Sequence, residues 1–186
     1  MIPNDKNNFM SRFFVNNSYY FITVPTIKRF PFFDTHKNKS FILERINKSK
    51  ILFELDDFDF SIISNHYHFV SYFNNSQIIP KLLQFINGGS AYIFNQVTSN
   101  RKPIWDEYYI YLIEDEILLN KIRGYTVGNP LKHNEVKTLK ELDQYPFSSY
   151  HTLIKQLGKN TVNEYIRSVI FLADDGIVDL IKKSKS

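Results

Sequence analysis

Hydrophobic and polar positions along the first part of the chain follow two periods, one typical of strands and one typical of helices. The run Tyr19–Val24 is rich in β-branched and aromatic residues and predicts a strand. Apolar residues then recur at helical spacing from Lys37 to Lys50, which predicts an amphipathic helix. A second β-rich stretch, Phe58–Phe73, is broken by the turn residues Ser64 and Asn65 and therefore predicts a hairpin.

The middle of the chain continues this alternation of helix and strand. Apolar spacing over Ile78–Val97 predicts a helix with a weak position at Gly88-Gly89, and Ile104–Ile113 predicts a strand. A further helix is expected to start at Glu114 and to end near Gly128. The resulting order, β-α-β-β-α-β followed by a helix, predicts a ferredoxin-like α+β sandwich, an antiparallel sheet with helices on one or both faces.

The last part of the chain predicts one more helix, over Val162–Leu172. No repeat and no Gly/Ser linker interrupts the 186 residues, so a single domain is expected. Residues 1–150 would form its main body, and residues 151–186 a helical extension of the same domain.

Composition excludes several classes of protein. The chain contains no cysteine, which rules out disulfides and thiolate metal sites. Hydrophobic residues make up 43% and charged residues 23%, as in soluble globular proteins. The first ten residues lack the apolar run of a signal peptide, and no stretch approaches the length of a membrane span. We therefore expect a cytoplasmic protein.

Charge is distributed unevenly around a net value of +4. Residues 1–50 hold nine Lys/Arg against three Asp/Glu, residues 51–116 hold three against nine, and residues 117–186 hold eleven against seven. A basic–acidic–basic layout suits a polyanion bound by the flanks around a cation-binding centre. Chance in a lysine-rich chain produces the same layout, so charge alone does not decide.

The sharpest local pattern is the pair His66 and His68, separated by Tyr67 at the start of a predicted strand. Residues two apart in a strand point to the same face, so both imidazoles project together while Tyr67 packs the other way. Two neighbouring neutral imidazoles form half of a metal site. The alternative is a pair of polar residues that face solvent.

A candidate nucleophile comes from the predicted helix near Gly128. Tyr125 and Asn129 are four residues apart and would share one helix face, so a phenol and an amide oxygen could approach a metal on a facing sheet. The alternative is a core tyrosine and a helix-capping asparagine before proline. With twelve tyrosines in the chain, nothing local singles out Tyr125. The residues alone lead as far as a metal-dependent enzyme.

Several segments in register resemble the HUH single-tyrosine transposases, specifically the REP-associated tyrosine transposases. Ser64–Phe69 is similar to the HUH motif of that family, in which two histidines flank one residue. Ile104–Tyr109 resembles its W-x-x-x-Y-Y segment, Tyr125–Pro130 its Y-I-H-x-N-P signature, and Tyr145–Tyr150 its W-P-W-S-S-Y segment. Tyr20–Val24 is similar to its opening strand. Thr126 and Val127 depart from the usual Ile-His.

The resemblance implies a site and a chemistry. His66 and His68 would bind a divalent metal, Mg²⁺ or Mn²⁺, with Asn129 as the third ligand. Tyr125 would be the nucleophile that cuts single-stranded DNA near a hairpin, forming a 5′-phosphotyrosine that a second 3′-hydroxyl can reverse. The catalytic set is thus Tyr125 with His66 and His68. The resemblance further implies a bacterial, nucleoid-associated protein.

The implied partner is single-stranded DNA that carries a hairpin, such as a REP-like element or a transposon end. Basic side chains would contact phosphates and aromatic side chains would stack on unpaired bases. The candidates are Lys28, Arg29, Arg101, Lys102, Lys121 and Arg123 among the cations, and Trp105, Tyr108 and Tyr109 among the aromatics. For Trp105, packing within the sheet is an equal alternative. A monomer and a homodimer both remain open.

Three other functions compete with this one. A hairpin-binding protein without catalysis predicts binding without metal-dependent nicking. A metal-dependent nuclease that uses water predicts cleavage without a covalent protein–DNA adduct. A ferredoxin-like interaction module predicts no nucleic-acid role.

Overall fold

A computed structural model describes residues 14–183, apart from the side chains of Asp174 and Asp175. Within this range the chain forms four strands: β1 (Ser18–Pro25), β2 (Phe58–Ile62), β3 (His66–Phe73) and β4 (Tyr109–Ile113). The α-helices of the same range are α1 (His36–Leu52), α2 (Ile79–Thr98), α3 (Glu116–Lys132), α4 (Leu139–Asp143), α5 (Tyr150–Leu157), α6 (Lys159–Val169) and α7 (Asp174–Lys183).

The four strands form one antiparallel sheet in the order β2-β3-β1-β4. Together with the chain order β1-α1-β2-β3-α2-β4, this is the ferredoxin-like topology that the sequence predicts. The central strand β1 is buried on both faces. Tyr20 and Ile22 belong to the core beneath α1 and α2, whereas Phe21 belongs to a second core beneath α3. The sheet therefore carries helices on both faces, and α3 covers the face opposite α1 and α2.

Strand β4 is shorter than the predicted Ile104–Ile113. It begins at Tyr109, and the residues before it make only an isolated bridge between Trp105 and Thr26. Asp106 donates its N–H to the Pro25 carbonyl at 2.9 Å, but proline has no N–H with which to return a bond. The ladder is therefore interrupted here.

Helix α3 is longer than predicted at its C-terminal end. It starts after Asp115, whose side chain caps the helix by accepting from the Leu118 N–H at 2.7 Å. It then continues past Gly128 and through Pro130 to Lys132. Pro130 lies in the last turn, where its missing N–H costs the helix a single bond. As a result Asn129 lies inside the helix and does not cap it.

Residues after 150 form more structure than the single predicted helix, because α6 and α7 pack against α3 and α5 packs against α6. The closest approach is at Gly124 and Gly128, which lie one turn apart on α3 and face α6. A methyl group at Gly124 would come within 2.6 Å of the Tyr165 backbone, and one at Gly128 within 2.9 Å of the Ile166 side chain. Only glycine at these positions lets the two helices pack this closely, and α6 thereby sets how α3 lies on the sheet.

The segment Tyr145–Tyr150, which resembles a family motif, closes the open edge of β2. The Ile62 N–H donates to the Phe147 carbonyl at 2.8 Å, and the Ser149 N–H donates to the Phe60 carbonyl at 2.9 Å. The Tyr145 hydroxyl also donates to the Ile62 carbonyl at 2.9 Å. In this protein the segment protects an edge strand from pairing with other chains.

Candidate active site between the sheet and helix α3

His66 and His68 lie on β3, on the sheet face that α3 covers. Their ring centroids are 4.5 Å apart, and each residue is only 2% exposed. Tyr67 points to the other face, where its hydroxyl donates to Asn87 of α2 at 2.6 Å. The strand period thus places the two imidazoles together, as the sequence predicts.

Both imidazole rings are oriented by a hydrogen bond at Nδ1. His66 donates from Nδ1 to the Asn65 Oδ1 at 2.7 Å, and His68 Nδ1 lies 2.9 Å from the Thr23 hydroxyl. In such an arrangement Nε2 is the ring nitrogen that would bind a metal ion. Neighbouring hydrogen-bonding side chains that hold a ligand in this way are typical of metal-binding histidines.

His66 is held in its neutral form. Burial lowers the pKa of its imidazole well below the ordinary 6.5, and His68 and Arg29 lower it further. Its buried Nε2 makes no hydrogen bond of ordinary geometry among the described residues, although the Asn129 amide is close enough to affect the pKa of the ring. A neutral imidazole is the state that binds a metal ion, because a protonated ring cannot.

Helix α3 brings Tyr125 and Asn129 against this histidine pair. The Tyr125 ring lies 5.4 Å from the His68 ring between centroids, and Phe21 of β1 packs edge-on to Tyr125 and stacks on His68. Asn129 is 1% exposed, and a weak hydrogen-bonding interaction of its side chain with His66 slightly offsets the lowering of the pKa of that ring. Their four-residue spacing puts both side chains on the sheet-facing side of α3.

The Asn129 amide indicates what this site could hold. Within the described residues, neither its Oδ1 nor its Nδ2 makes a hydrogen bond of ordinary geometry. A buried unpaired amide costs about 1–3 kcal/mol unless a ligand satisfies it. No group of three or more His, Cys, Asp or Glu among residues 14–183 could hold a metal. Beside His66 and His68, the Asn129 oxygen is the candidate third donor. That donor set, two imidazoles and one amide oxygen, fits a divalent ion such as Mn²⁺.

Lys132 was not among the residues predicted from the sequence. Its Nζ lies 3.3 Å from the Tyr125 hydroxyl and 4.7 Å from the centre of the Tyr125 ring. Lys132 follows Tyr125 by seven residues, which is two helical turns, so the same face of α3 carries both. That spacing is visible in the sequence, but it becomes informative only when the helix is known to continue through Pro130.

A cleft of about 270 Å³ gives access to Tyr125 and His68. Arg29, Tyr109 and Tyr111 line one side, and α7 contributes Ile177 and Val178. Of the predicted DNA contacts, Arg29 and Tyr109 therefore lie at the cleft.

The other predicted cations do not line the cleft. Lys28 is exposed in the turn beside Arg29, and Lys121 is half-buried one turn before Tyr125 on α3. Arg101 and Lys102 are exposed in the loop between α2 and β4. Their role in binding DNA stays a prediction.

The expectation that Arg123 contacts DNA is wrong. Its guanidinium forms ion pairs with Asp57 and, at 3.2 Å, with the buried Asp59, and it is almost fully enclosed. Burial raises the pKa of Asp59 to about 6, although Arg123 acts in the opposite direction. Arg123 fastens α3 to β2 and is not available to a phosphate.

Trp105 and Tyr108 likewise pack inside the protein. The Trp105 ring stacks on Phe33 at 5.0 Å and meets Tyr67 edge-on at 5.3 Å, while its indole N–H donates to the Asn87 carbonyl at 3.0 Å. Tyr108 packs against the same core. Because this core lies on the face opposite the histidines, the sheet-packing alternative holds for Trp105.

Fold and site together define a ferredoxin-like α+β protein in which a histidine pair on the sheet faces a helix that carries a tyrosine and an asparagine. No protein-family model and no curated protein matches the chain. The structure is similar to that of a REP-associated tyrosine transposase bound to a REP hairpin, with a TM-score of 0.62 and 18% sequence identity over 78% of this chain and 84% of that chain. This similarity confirms the fold that the resemblance of the sequence implies.

Within residues 14–183, no helix is both long and apolar enough to cross a membrane.

Proposed function

We propose that this protein binds DNA hairpins and cuts adjacent single-stranded DNA through Tyr125, in the manner of a transposase. The observation that carries the proposal is the convergence of four buried side chains from two elements: His66 and His68 of β3, Tyr125 and Asn129 of α3. The similarity in fold to a transposase bound to a hairpin supports the same function.

His66, His68 and Asn129 would hold one Mg²⁺ or Mn²⁺ ion. When bound, such an ion supplies Lewis-acid stabilisation of charge on the scissile phosphate. The Nε2 of His66 and the amide of Asn129 are buried close together without a hydrogen bond of ordinary geometry, and this supports the assignment because a shared ligand would satisfy both.

Tyr125 would attack the phosphorus of the scissile phosphodiester with its phenol oxygen. The O–P bond to Tyr125 forms as the P–O3′ bond breaks, leaving a 5′-phosphotyrosine and a free 3′-hydroxyl. A phenol is a weak nucleophile at neutral pH because its ordinary pKa is about 10. The Lys132 ammonium, 3.3 Å from the hydroxyl, would stabilise the phenolate. Attack by another strand's 3′-hydroxyl reverses the step without ATP, so cutting and joining are one reaction.

The DNA would approach through the cleft over Tyr125. Arg29 carries positive charge to its rim, and Tyr109, which is 49% exposed, offers a stacking surface for an unpaired base. Arg29 and Tyr109 would therefore contact DNA that enters the cleft toward Tyr125.

Denaturing gel electrophoresis tests the proposal. A labelled hairpin oligonucleotide drawn from DNA that flanks the gene, with single-stranded extensions, is incubated with the protein and Mn²⁺. A metal-dependent protein–DNA band that survives denaturation and disappears in Tyr125→Phe is the expected result. Tyr111→Phe is the matched control, because Tyr111 lines the same cleft and should keep the band.

Other outcomes identify the competing functions. Full cleavage by Tyr125→Phe would overturn the assignment of the nucleophile. Cleavage without any adduct indicates a nuclease that uses water, and hairpin binding without adduct or cleavage indicates a DNA-binding protein without catalysis.

A further inference from the structure

A second groove lies between the end of α3, the start of α4 and the end of α6. We name it the α3–α6 groove. Its volume is about 470 Å³. Three cations line it, Lys132, Lys137 and Arg167, together with Thr138 and five apolar side chains that include Ile170 and Phe171.

The charge of the groove is entirely of one sign. No carboxylate belongs to its lining. Within the described residues, the side chains of Lys137 and Arg167 form no ion pair, and both residues are exposed. Such a surface attracts a polyanion, because phosphates that displace counterions from lysine and arginine gain free energy.

Phe171 provides the second feature, a flat apolar surface. It is 94% exposed at the end of α6, next to the partly buried Ile170. An aromatic ring beside cations is the combination that binds single-stranded nucleic acid, since each base has a face that stacks and each nucleotide carries a phosphate. A duplex would not present its base faces to Phe171.

Lys132 connects the groove with the proposed nucleophile. It lines the groove, and its Nζ lies 3.3 Å from the Tyr125 hydroxyl. Lys132 therefore belongs both to the groove and to the surroundings of the Tyr125 hydroxyl, which lines the cleft. We propose that the α3–α6 groove binds the single-stranded DNA that flanks the phosphate cut by Tyr125, an inference that rests on the proposed function.

Fluorescence anisotropy with the full chain in EDTA, where cutting is prevented, tests this proposal. Three labelled probes are used: a hairpin with a single-stranded thymidine tail, the same hairpin without the tail, and a free oligothymidylate. Phe171→Ala should weaken binding of the tailed hairpin and the oligothymidylate about tenfold and leave the blunt hairpin unchanged. The double variant Lys137→Gln/Arg167→Gln should lower the slope of log affinity against log salt by about 1.4 for the tailed probe.

Matched controls come from the α2 surface, which belongs to the opposite side of the sheet. Tyr92→Ala removes another exposed aromatic ring, and Lys81→Gln another exposed cation. Both should leave all three affinities unchanged. A tail that carries 5-iodouracil should also photocrosslink to Phe171 and not to Tyr92.

The outcomes separate this proposal from the proposed function. If adducts form on Tyr125 but the groove variants bind tailed and blunt hairpins alike, the groove proposal is overturned and the function stands. If binding of the oligothymidylate depends on Phe171 but no adduct forms, the groove stands and the catalytic proposal fails. An equal loss for blunt and tailed hairpins in Phe171→Ala would also overturn the groove proposal, since it would indicate a duplex contact.

Discussion

The Lys132 ammonium lies 3.3 Å from the Tyr125 hydroxyl, two turns further along α3. It also sits over the Tyr125 ring, 4.7 Å from its centre. Phe21 packs edge-on to the ring, and the cleft at Tyr125 is lined by Thr23, Arg29 and His68 as well as by aromatic and apolar side chains. Because Tyr125 is only 3% exposed, a positive charge this close has a large effect on an oxygen that must become negative.

We expect Lys132→Met to slow DNA nicking about 100-fold at neutral pH. Single-turnover nicking rates at saturating protein measure this effect separately from DNA binding. Lys140→Met, which removes an exposed cation from α4, should leave the rates unchanged. A loss that disappears at saturating protein would show that Lys132 acts on DNA binding and not on the phenol.

Asn129→Leu should separate stability from metal binding. The buried amide makes no hydrogen bond of ordinary geometry among the described residues, so an apolar side chain should raise the free energy of unfolding of the metal-free protein by about 1 kcal/mol. The same change should abolish the increase in melting temperature on addition of Mn²⁺, which the wild-type protein should show. Thermal unfolding with Mn²⁺ and with EDTA measures both effects.

Asn163→Leu is the matched control for that substitution. Asn163 accepts a hydrogen bond from the Tyr150 hydroxyl at 2.7 Å, so its replacement should lower the free energy of unfolding by about 1 kcal/mol and keep the Mn²⁺ effect. A Mn²⁺-dependent increase that persists in Asn129→Leu would exclude Asn129 as a ligand.

Two glycine substitutions should act in opposite directions. Gly124→Ala would place a methyl group 2.6 Å from the Tyr165 backbone, so we expect it to force α3 and α6 apart and destabilise the protein by about 1–3 kcal/mol. Because Tyr125 is the next residue, nicking should fall as well. Gly88→Ala lies in the middle of α2 with open space around it and should stabilise by about 0.5–1 kcal/mol. Chemical denaturation compares the two, and equal effects would contradict the close packing of α3 on α6.

Asp59 should make stability depend on pH. Burial raises the pKa of its carboxyl from 3.8 to about 6, so between these values the folded protein binds a proton that the unfolded chain releases. The stability contributed by the protonated form is therefore complete below pH 3.8 and is lost as the pH rises through about 6. The loss should reach up to about 3 kcal/mol.

Comparison with Asp59→Asn isolates this contribution. The variant carries a neutral side chain at every pH, so its free energy of unfolding should rise relative to the wild-type protein as the pH increases from 4 to 7. Asp34→Asn, at an exposed position, should show no such divergence. Parallel curves for Asp59→Asn and the wild-type protein would refute the raised pKa.

The strands and helices that the sequence predicted well are those whose signals are local. The hairpin of β2 and β3 follows from its β-rich composition and the turn at Ser64 and Asn65. The two ends that were predicted wrongly depend on other parts of the chain. Strand β4 starts late because Pro25, on its partner strand, cannot return a hydrogen bond, and α3 passes Pro130 because only its last turn is affected.

The same distinction explains the residues that were assigned incorrectly. A cation and an aromatic ring look alike in a sequence whether they are exposed or buried. Asp57 and Asp59 enclose Arg123, and Phe33 and Tyr67 enclose Trp105, from elements far away in the chain. No local pattern reports such pairings, because they form only when the core is packed.

By itself, the sequence determined which side chains would share a face. The strand period of two places His66 and His68 on one face of the sheet. The helix period of 3.6 places Tyr125 and Asn129 on one face of α3. Both periods follow from the covalent geometry of the backbone. The tertiary structure alone decided that these two faces meet. More than fifty residues separate them along the chain, and their contact depends on α3 lying across the sheet, held there by close packing against α6 and by the buried Arg123 ion pairs. The site forms because apolar surfaces that are far apart in the chain are buried against each other, and no local sequence period indicates which surfaces will meet.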